Sequence, residues 1–263
     1  MGMKLEVISK HPREKTHATP LLFVHGAWHG AWCWENFLPY FAEHGYEAHA
    51  LSLRGHGNSE GKDGIRWYSA QDYINDLQQV VDCLDTSPIL IAHSMGGYIV
   101  QKYLETHSAP AGVLLASIPI TGILAMLLRW TKRRPISMLK TFLMLNPWYM
   151  VSTPALAKEV FFSEDYPDKK FLGYYAQIQT ESAMAALEMS LLRLPRPGKV
   201  RTPLLTIGAE NDRIFTVSEE RKTARAYNTE ITLYPHTAHD MMLETNWRTV
   251  ADHILNWLNS RDL

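Results

Sequence analysis

The sequence predicts an α/β fold: a mostly parallel central sheet with helices on both faces and a helical insertion. Three observations predict it. Short apolar runs alternate with longer helix-periodic segments in both terminal parts of the chain. Between residues 118 and 200 the alternation stops, and the chain turns helix-like, Met-rich and aromatic. After Pro203 the alternation resumes. The expected division is a core formed by 1–117 and 201–263, with a helical cap, or lid, at 118–200.

The elements follow in order. Residues 21–24 read as a buried strand ending at His25-Gly26, followed by a helix over 31–43 bent at Pro39. Residues 46–53 form the next strand. Residues 54–64 hold four glycines in eleven positions, too many for a helix or strand, and read as a loop. Apolar residues at 73, 74, 77, 80, 81 and 84 have the spacing of one helix face over 72–84. A strand at 88–92, a helix at 95–106 and a strand at 111–116 complete the first part. Beyond the insertion come a strand at 204–207, a helix at 218–226, a strand at 230–233 and a helix at 246–258.

Composition narrows the function. The 263 residues carry 26 Lys and Arg against 27 Asp and Glu, a formal charge of −1, which argues against a nucleic-acid-binding surface. Apolar residues make up 46% and charged residues 20%, enough to bury a full core. Cys33 and Cys83 cannot build a disulfide scaffold or a four-cysteine metal site, and each reads as a small buried hydrophobe. No metal is expected. Dinucleotide and P-loop fingerprints are missing, since Gly55 and Gly57 lead into loop, and no cofactor is expected. The apolar stretch 118–128 is broken by Pro119 and Gly122 and falls short of the roughly 20 residues a membrane span needs. Residues 1–15 have no apolar core of a signal peptide. The expectation is a cytoplasmic protein without stable membrane insertion. No oligomeric state follows.

The chemistry centres on 89–97, Ile-Leu-Ile-Ala-His-Ser-Met-Gly-Gly. A buried strand runs into Ser94 and then into a helix. A serine at so sharp a turn is strained and needs small neighbours two positions away; here they are Ala92 and Gly96. The helix from Met95 aims free N–H groups at the serine oxygen. A serine that only caps a helix would share the N-cap preference, but not the buried strand before it. A serine nucleophile needs a base and an orienting acid. His239 follows the last strand, Asp212 follows the one before, and a parallel sheet brings both loops to the edge that holds Ser94. Among alternatives, His236 is expected to pack in its loop. Asp240 adjoins His239 too closely in sequence to orient it well, Glu210 is a second candidate acid, and His93 should point away from Ser94. The N–H of Met95 and that of Ala27, in the turn after the first core strand, are the expected oxyanion donors. Trp28 and His25 on that turn are expected at the substrate.

Taken together, Phe23-Val24-His25-Gly26, Arg54-Gly55-His56-Gly57-Asn58-Ser59, the turn at Ser94, 208–212 and His239 resemble the α/β-hydrolase family. The likeness spans nearly the whole chain outside the insertion. It implies a Ser94–His239–Asp212 triad in the α/β-hydrolase fold. Residues 25–34 look like the methylesterase and hydroxynitrile-lyase branch; the turn at Ser94 and the loop at Arg54 look more like bacterial esterases and monoacylglycerol-lipase-like members. Two positions depart from the family: Ala92 replaces a common glycine, and Ser52 replaces a common aspartate. A nucleophilic serine argues against the dehalogenase and epoxide-hydrolase branches, which use aspartate.

The implied activity is a cofactor-free serine hydrolase acting on a small-molecule apolar ester. The same triad could instead serve hydroxynitrile-lyase, C–C hydrolase or perhydrolase chemistry, although no lysine adjoins His239 to hold cyanide. A non-catalytic ligand receptor on the same fold is a third reading. In the insertion, Met126, Trp130, Met138, Phe142, Met144, Trp148, Tyr149, Met150, Phe161, Phe162, Tyr174 and Tyr175 offer a pocket lining, with most expected to pack as core. Arg129, Lys132, Arg133 and Arg134 suit either a solvated helix end or a lipid surface.

Overall fold

The computed structural model describes residues 2–263; Met1, the first residue of the expected core, lies outside them. Seven strands form one sheet: β1 (Glu6–Lys10), β2 (Leu21–Val24), β3 (Ala48–Ser52), β4 (Ile89–His93), β5 (Gly112–Leu115), β6 (Leu204–Ala209) and β7 (Ile231–Tyr234). Their order is β1-β3-β2-β4-β5-β6-β7. All pairs are parallel except β1 with β3. The inner strands are buried along their whole length, which explains their unbroken apolar runs. The antiparallel edge strand β1 was not foreseen. Its mixed sequence Glu-Val-Ile-Ser-Lys is half-exposed, so no continuous apolar run marks it.

The core helices are α1 (Phe37–Glu43), α2 (Ala70–Val81), α3 (Met95–Tyr103), α9 (Val217–Ala226) and α10 (Trp247–Asn259). The single helix expected over 31–43 divides into a 3-10 turn, Ala31–Trp34, and α1. Lys62–Trp67 is a 3-10 turn within what read as loop. Capping boxes start α2, through Ser69 and Asp72, and α9, through Thr216 and Glu219, satisfying N–H groups a helix leaves free. Between β5 and β6 lie α4 (Leu124–Arg133), α5 (Pro135–Leu143), α6 (Pro154–Phe161), α7 (Asp168–Tyr175) and α8 (Ala183–Leu187), the last running into a π-helical turn. No described helix is long and apolar enough to cross a membrane.

Cys33 is buried as expected, but Cys83 is exposed, because it sits past the C-cap of α2, where the chain turns back toward β4. The departure at Ser52 is compensated from the edge strand. Ser52 Oγ accepts the Ala31 N–H at 2.8 Å and donates to Glu6 Oε2 at 2.6 Å, so Glu6 supplies a carboxylate next to the loop of Gly57.

Candidate active site

The sheet order reverses between β2 and β4, the strand on one side leading back to β3 and that on the other leading on to β5. Such a switch point opens a crevice at the carboxyl edge. Val24 pairs with Ala92, so the turn 25–28 and the turn at Ser94 leave the sheet side by side. Ser94 has φ 49° and ψ −114°, a conformation costly for a residue with a Cβ. Tight packing imposes it: a Cβ on Gly96 would fall 2.3 Å from the Val24 carbonyl oxygen, and one on Gly26 3.0 Å from Ser94 Cβ.

On the far side, the loops after β6 and β7 are tied by Glu210 N–H to Tyr234 O and Asn211 N–H to Thr237 O, both at 3.0 Å. This tie brings Asp212 to His239. His239 Nδ1–H donates to Asp212 Oδ2 at 2.7 Å, and Asp212 Oδ1 accepts the N–H groups of Ile214 and Phe215 at 2.6 and 3.1 Å. His93 packs its ring 4.6 Å from that of His239 and donates from Nε2 to the His239 carbonyl at 3.0 Å. Ser94 Oγ makes no hydrogen bond to His239; catalytic hydrogen bonds of this kind commonly tighten only with substrate bound.

Ala27 and Met95 have backbone N–H groups without an acceptor among the described residues, and both residues line the same cavity as Ser94. The cavity is about 290 Å³ and overwhelmingly apolar, with Ile118, Met126, Met150, Met189 and Phe215 among its walls. Of the twelve Met and aromatic residues singled out in the insertion, Met126, Phe142 and Met150 reach it, in keeping with the expectation that most pack as core.

Trp28 lines the cavity, in a left-handed conformation with φ 66°, and its indole N–H reaches the Pro147 carbonyl. His25 does not reach the cavity. It is wholly enclosed, accepting the Leu53 N–H on Nε2 at 3.0 Å and donating from Nδ1 to the Gly26 carbonyl at 2.7 Å. Burial, and then the neighbouring His56, hold it well below its ordinary pKa, so it is neutral with one fixed tautomer. The Gly26 carbonyl belongs to the peptide that carries the Ala27 N–H. His25 therefore turns that N–H away from itself, a positioning role where contact with substrate was expected.

Several further groups were not foreseen. His29 donates from Nδ1 to Ala27 O at 2.7 Å and from Nε2 to Asp240 Oδ2 at 3.0 Å. Burial opposes its charge, but Asp240 and the Ala27 carbonyl outweigh burial and raise its pKa. Asp240 thus has its own partner and is not the acid of His239. His236 is exposed at φ 53°, not packed in its loop, because the chain turns sharply there after Pro235. His93 is neutral, held well below its usual pKa by burial and then by His239, and its Nδ1 has no partner.

Glu181 of the insertion accepts from His56 Nε2 (3.0 Å) and Trp28 N (3.3 Å) on one oxygen, and from Tyr73 OH (2.8 Å) and Ser182 N (2.6 Å) on the other. Nothing in the sequence marked it. Glu220, on the buried face of α9, has no well-formed hydrogen bond on either oxygen. Its spacing with Thr223 and Ala224 was the available signal. Among the described residues His93, His239 and Asp240 are the one group of metal-type ligands, within 4.8 Å of one another. His239 Nδ1, His93 Nε2 and Asp240 Oδ2 are already engaged within the protein, and together they fix the His239 loop.

Comparison with known proteins agrees with this architecture. A family model described as "Alpha/beta hydrolase family" matches residues 21–253. Methyl jasmonate esterase 1 of Vitis vinifera is 36% identical over 86 residues, 32% of this chain and 33% of that protein. Non-heme chloroperoxidase CPO-A1 of Kitasatospora aureofaciens is 35% identical over 104 residues, 38% of this chain and 37% of that protein. These matches therefore span about a third of each relative's length. Among solved structures, an esterase from Thermogutta terrifontis has a TM-score of 0.77 at 18% identity, over 99% of this chain and 95% of that one. One from Exiguobacterium antarcticum has 0.75 at 19%, over 98% and 96%.

Proposed function

The chain belongs to the alpha/beta hydrolase family, and on that premise we propose that it is a serine hydrolase cleaving carboxylic esters of apolar, small-to-medium substrates through an acyl-enzyme on Ser94. One observation carries the reading: the strained Ser94 and the two unengaged N–H groups of Ala27 and Met95 face one apolar cavity. The His239–Asp212 pair supports it, with the His239 ring 4.6 Å from that of His93, the residue before Ser94.

Ser94 Oγ attacks the ester carbonyl and passes its proton to His239 Nε2. The oxyanion takes the Ala27 and Met95 N–H groups, which cost nothing to reorganise because they are already in place. Collapse expels the alcohol, protonated by His239. Water, deprotonated by His239, then attacks the acyl carbonyl, and Ser94 leaves with the proton. Asp212 holds Nδ1–H throughout and stabilises the imidazolium. The apolar walls select apolar acyl or alcohol groups by excluding water from them.

Ser94→Ala should lower kcat on p-nitrophenyl butyrate by about 10⁶-fold and abolish labelling by a fluorophosphonate. Asp212→Asn should cost about 10⁴-fold, through the wrong imidazole tautomer. Labelling retained in Ser94→Ala would move the nucleophile elsewhere. The similarity to the chloroperoxidase favours one second reading, in which hydrogen peroxide in place of water attacks the acyl-enzyme and releases a peracid. Peracid formed faster than acid, in assays holding both nucleophiles, would select it.

A further inference from the structure

The large apolar side chains left exposed are not scattered. All but Val7 and Trp67 fall between Leu124 and Leu192, in the helices over the cavity. Ile136 and Leu143 are each 73% exposed, far beyond what a helix facing water needs. Trp67, Phe142, Leu145, Met184 and Leu187 are both exposed and part of the cavity wall, so the apolar surface runs without a break from the outside toward Ser94.

On α4 and α5 the charge has one sign. Between Glu105 and Glu159 the chain has no acidic residue, while Arg129, Lys132, Arg133, Arg134, Lys140 and Lys158 fall in that interval. Arg129 is answered by Glu219, Arg133 and Arg134 by Glu159, and Lys158 by Asp168. Lys132 and Lys140, on the same two helices as the exposed apolar residues, are exposed and have no ion pair among the described residues. Arg66, beside Trp67, is likewise exposed and unpaired.

We propose that this face docks onto an anionic lipid bilayer, and that an acyl-lipid ester passes from the bilayer into the cavity without crossing water. The proposal rests on the ester-hydrolase reading for its substrate but not for its docking. α4 and α5, of ten and nine residues, are too short to span, and they suit lying in the interface with their apolar side chains among the acyl chains. Lys132, Lys140 and Arg66 would then meet lipid phosphates. A second copy is the poorer occupant: a two-fold contact would set like cations against one another, with no acidic residue in the interval to answer them.

The test is co-sedimentation of the full chain with vesicles of phosphatidylcholine alone, or of equal parts phosphatidylcholine and phosphatidylglycerol. Binding to the anionic vesicles is expected, weakened about tenfold by the double variant Lys132→Glu/Lys140→Glu and lost in Ile136→Glu/Leu143→Glu. Neither pair belongs to the cavity wall, so turnover of soluble p-nitrophenyl butyrate should stay as in wild type and report the fold intact. No binding to anionic vesicles overturns the proposal, as does binding that both variants leave unchanged. A dimer in sedimentation equilibrium that Ile136→Glu/Leu143→Glu splits, with no vesicle binding, assigns the face to a second copy. Failure of the hydrolase reading is separate: it shows as loss of Ser94-dependent turnover of the soluble ester, while vesicle binding needs no turnover.

Discussion

Asp212 and Glu220 set two carboxyl groups near one another behind His239, and both cannot be charged at low cost. Hydrogen bonding sets them apart. Asp212 accepts three N–H groups, and Glu220 has no well-formed bond. Burial first, and the Asp212 charge next, push the Glu220 carboxyl well above the usual carboxylate range. Gly208 makes room for it, since a Cβ there would lie 2.2 Å from Glu220 Oε2. Folding therefore depends on pH through this residue. Below about pH 4 a glutamate is protonated in both folded and unfolded chains. As pH rises the unfolded Glu220 ionises and the folded one does not, so stability is lost until the folded carboxyl ionises too. Glu220→Gln cannot ionise. Its stability relative to wild type should rise from pH 4 to pH 8, read from urea midpoints at each pH. A difference that does not change with pH would mean that Glu220 titrates normally in the fold.

At this scale, legibility depended on whether a residue works through its chain neighbours. The strained turn at Ser94 is signalled by Ala92, Gly96 and the strand before it, all close to it in sequence. His239 and Asp212 stand at strand ends that periodicity reveals. His25 looked like a substrate contact because it shares its turn with Ala27, the expected oxyanion donor. Its real partners, Leu53 N–H and the Gly26 carbonyl, are set by how β2 and β3 pair.

At the scale of elements, the segment 179–182 is sewn onto the turn after β2. Gln179 N–H donates to Trp28 O at 3.0 Å, and the Gln179 side chain bonds Gly57 N and Gly55 O at 2.9 and 2.6 Å. Glu181 adds Trp28 N–H, Tyr73 and His56. Burial alone would raise the Glu181 carboxyl, but His56, Ser182 N–H and Tyr73 outweigh it and lower its pKa. Both His56 nitrogens face acceptors, Arg54 O and Glu181. Glu181→Ala would leave the buried donors of His56, Tyr73 and Trp28 without their acceptor. It should cost about 3–5 kcal/mol of unfolding free energy and lower kcat on p-nitrophenyl butyrate more than it raises KM, because the loosened peptides are those beside the Ala27 donor. Wild-type stability in denaturant, with kcat unchanged, would show the stitch to be incidental. The alternating elements were readable because buried parallel strands have no polar face to blur the pattern. The stitch was not, because Glu181 lies more than a hundred residues from His56 and Tyr73 and joins them only across the fold.

At the scale of the molecule, a net charge of −1 conceals an uneven distribution. The segment 106–158, which carries α4 and α5, has basic but no acidic residues and holds more than half of the exposed large apolar side chains. Total composition could report neither fact, since the first depends on the order of residues and the second on which side chains the fold leaves uncovered. The two components of docking should differ in their response to salt. Attraction between exposed cations and lipid phosphates is screened over about 10 Å at 0.1 M and about 3 Å at 1 M. Burial of Ile136 and Leu143 among acyl chains is not weakened by ions of that kind. Raising sodium chloride from 0.05 to about 0.5 M should therefore slow hydrolysis of an ester dissolved in anionic vesicles by roughly tenfold. The same change should leave p-nitrophenyl butyrate in solution, and the ester in phosphatidylcholine vesicles, nearly unaffected. Equal slowing of all three would place the salt effect at the catalytic groups and not at the docking face. Slowing confined to the anionic vesicles would separate delivery of substrate, governed by Lys132, Lys140 and Arg66, from its cleavage at Ser94.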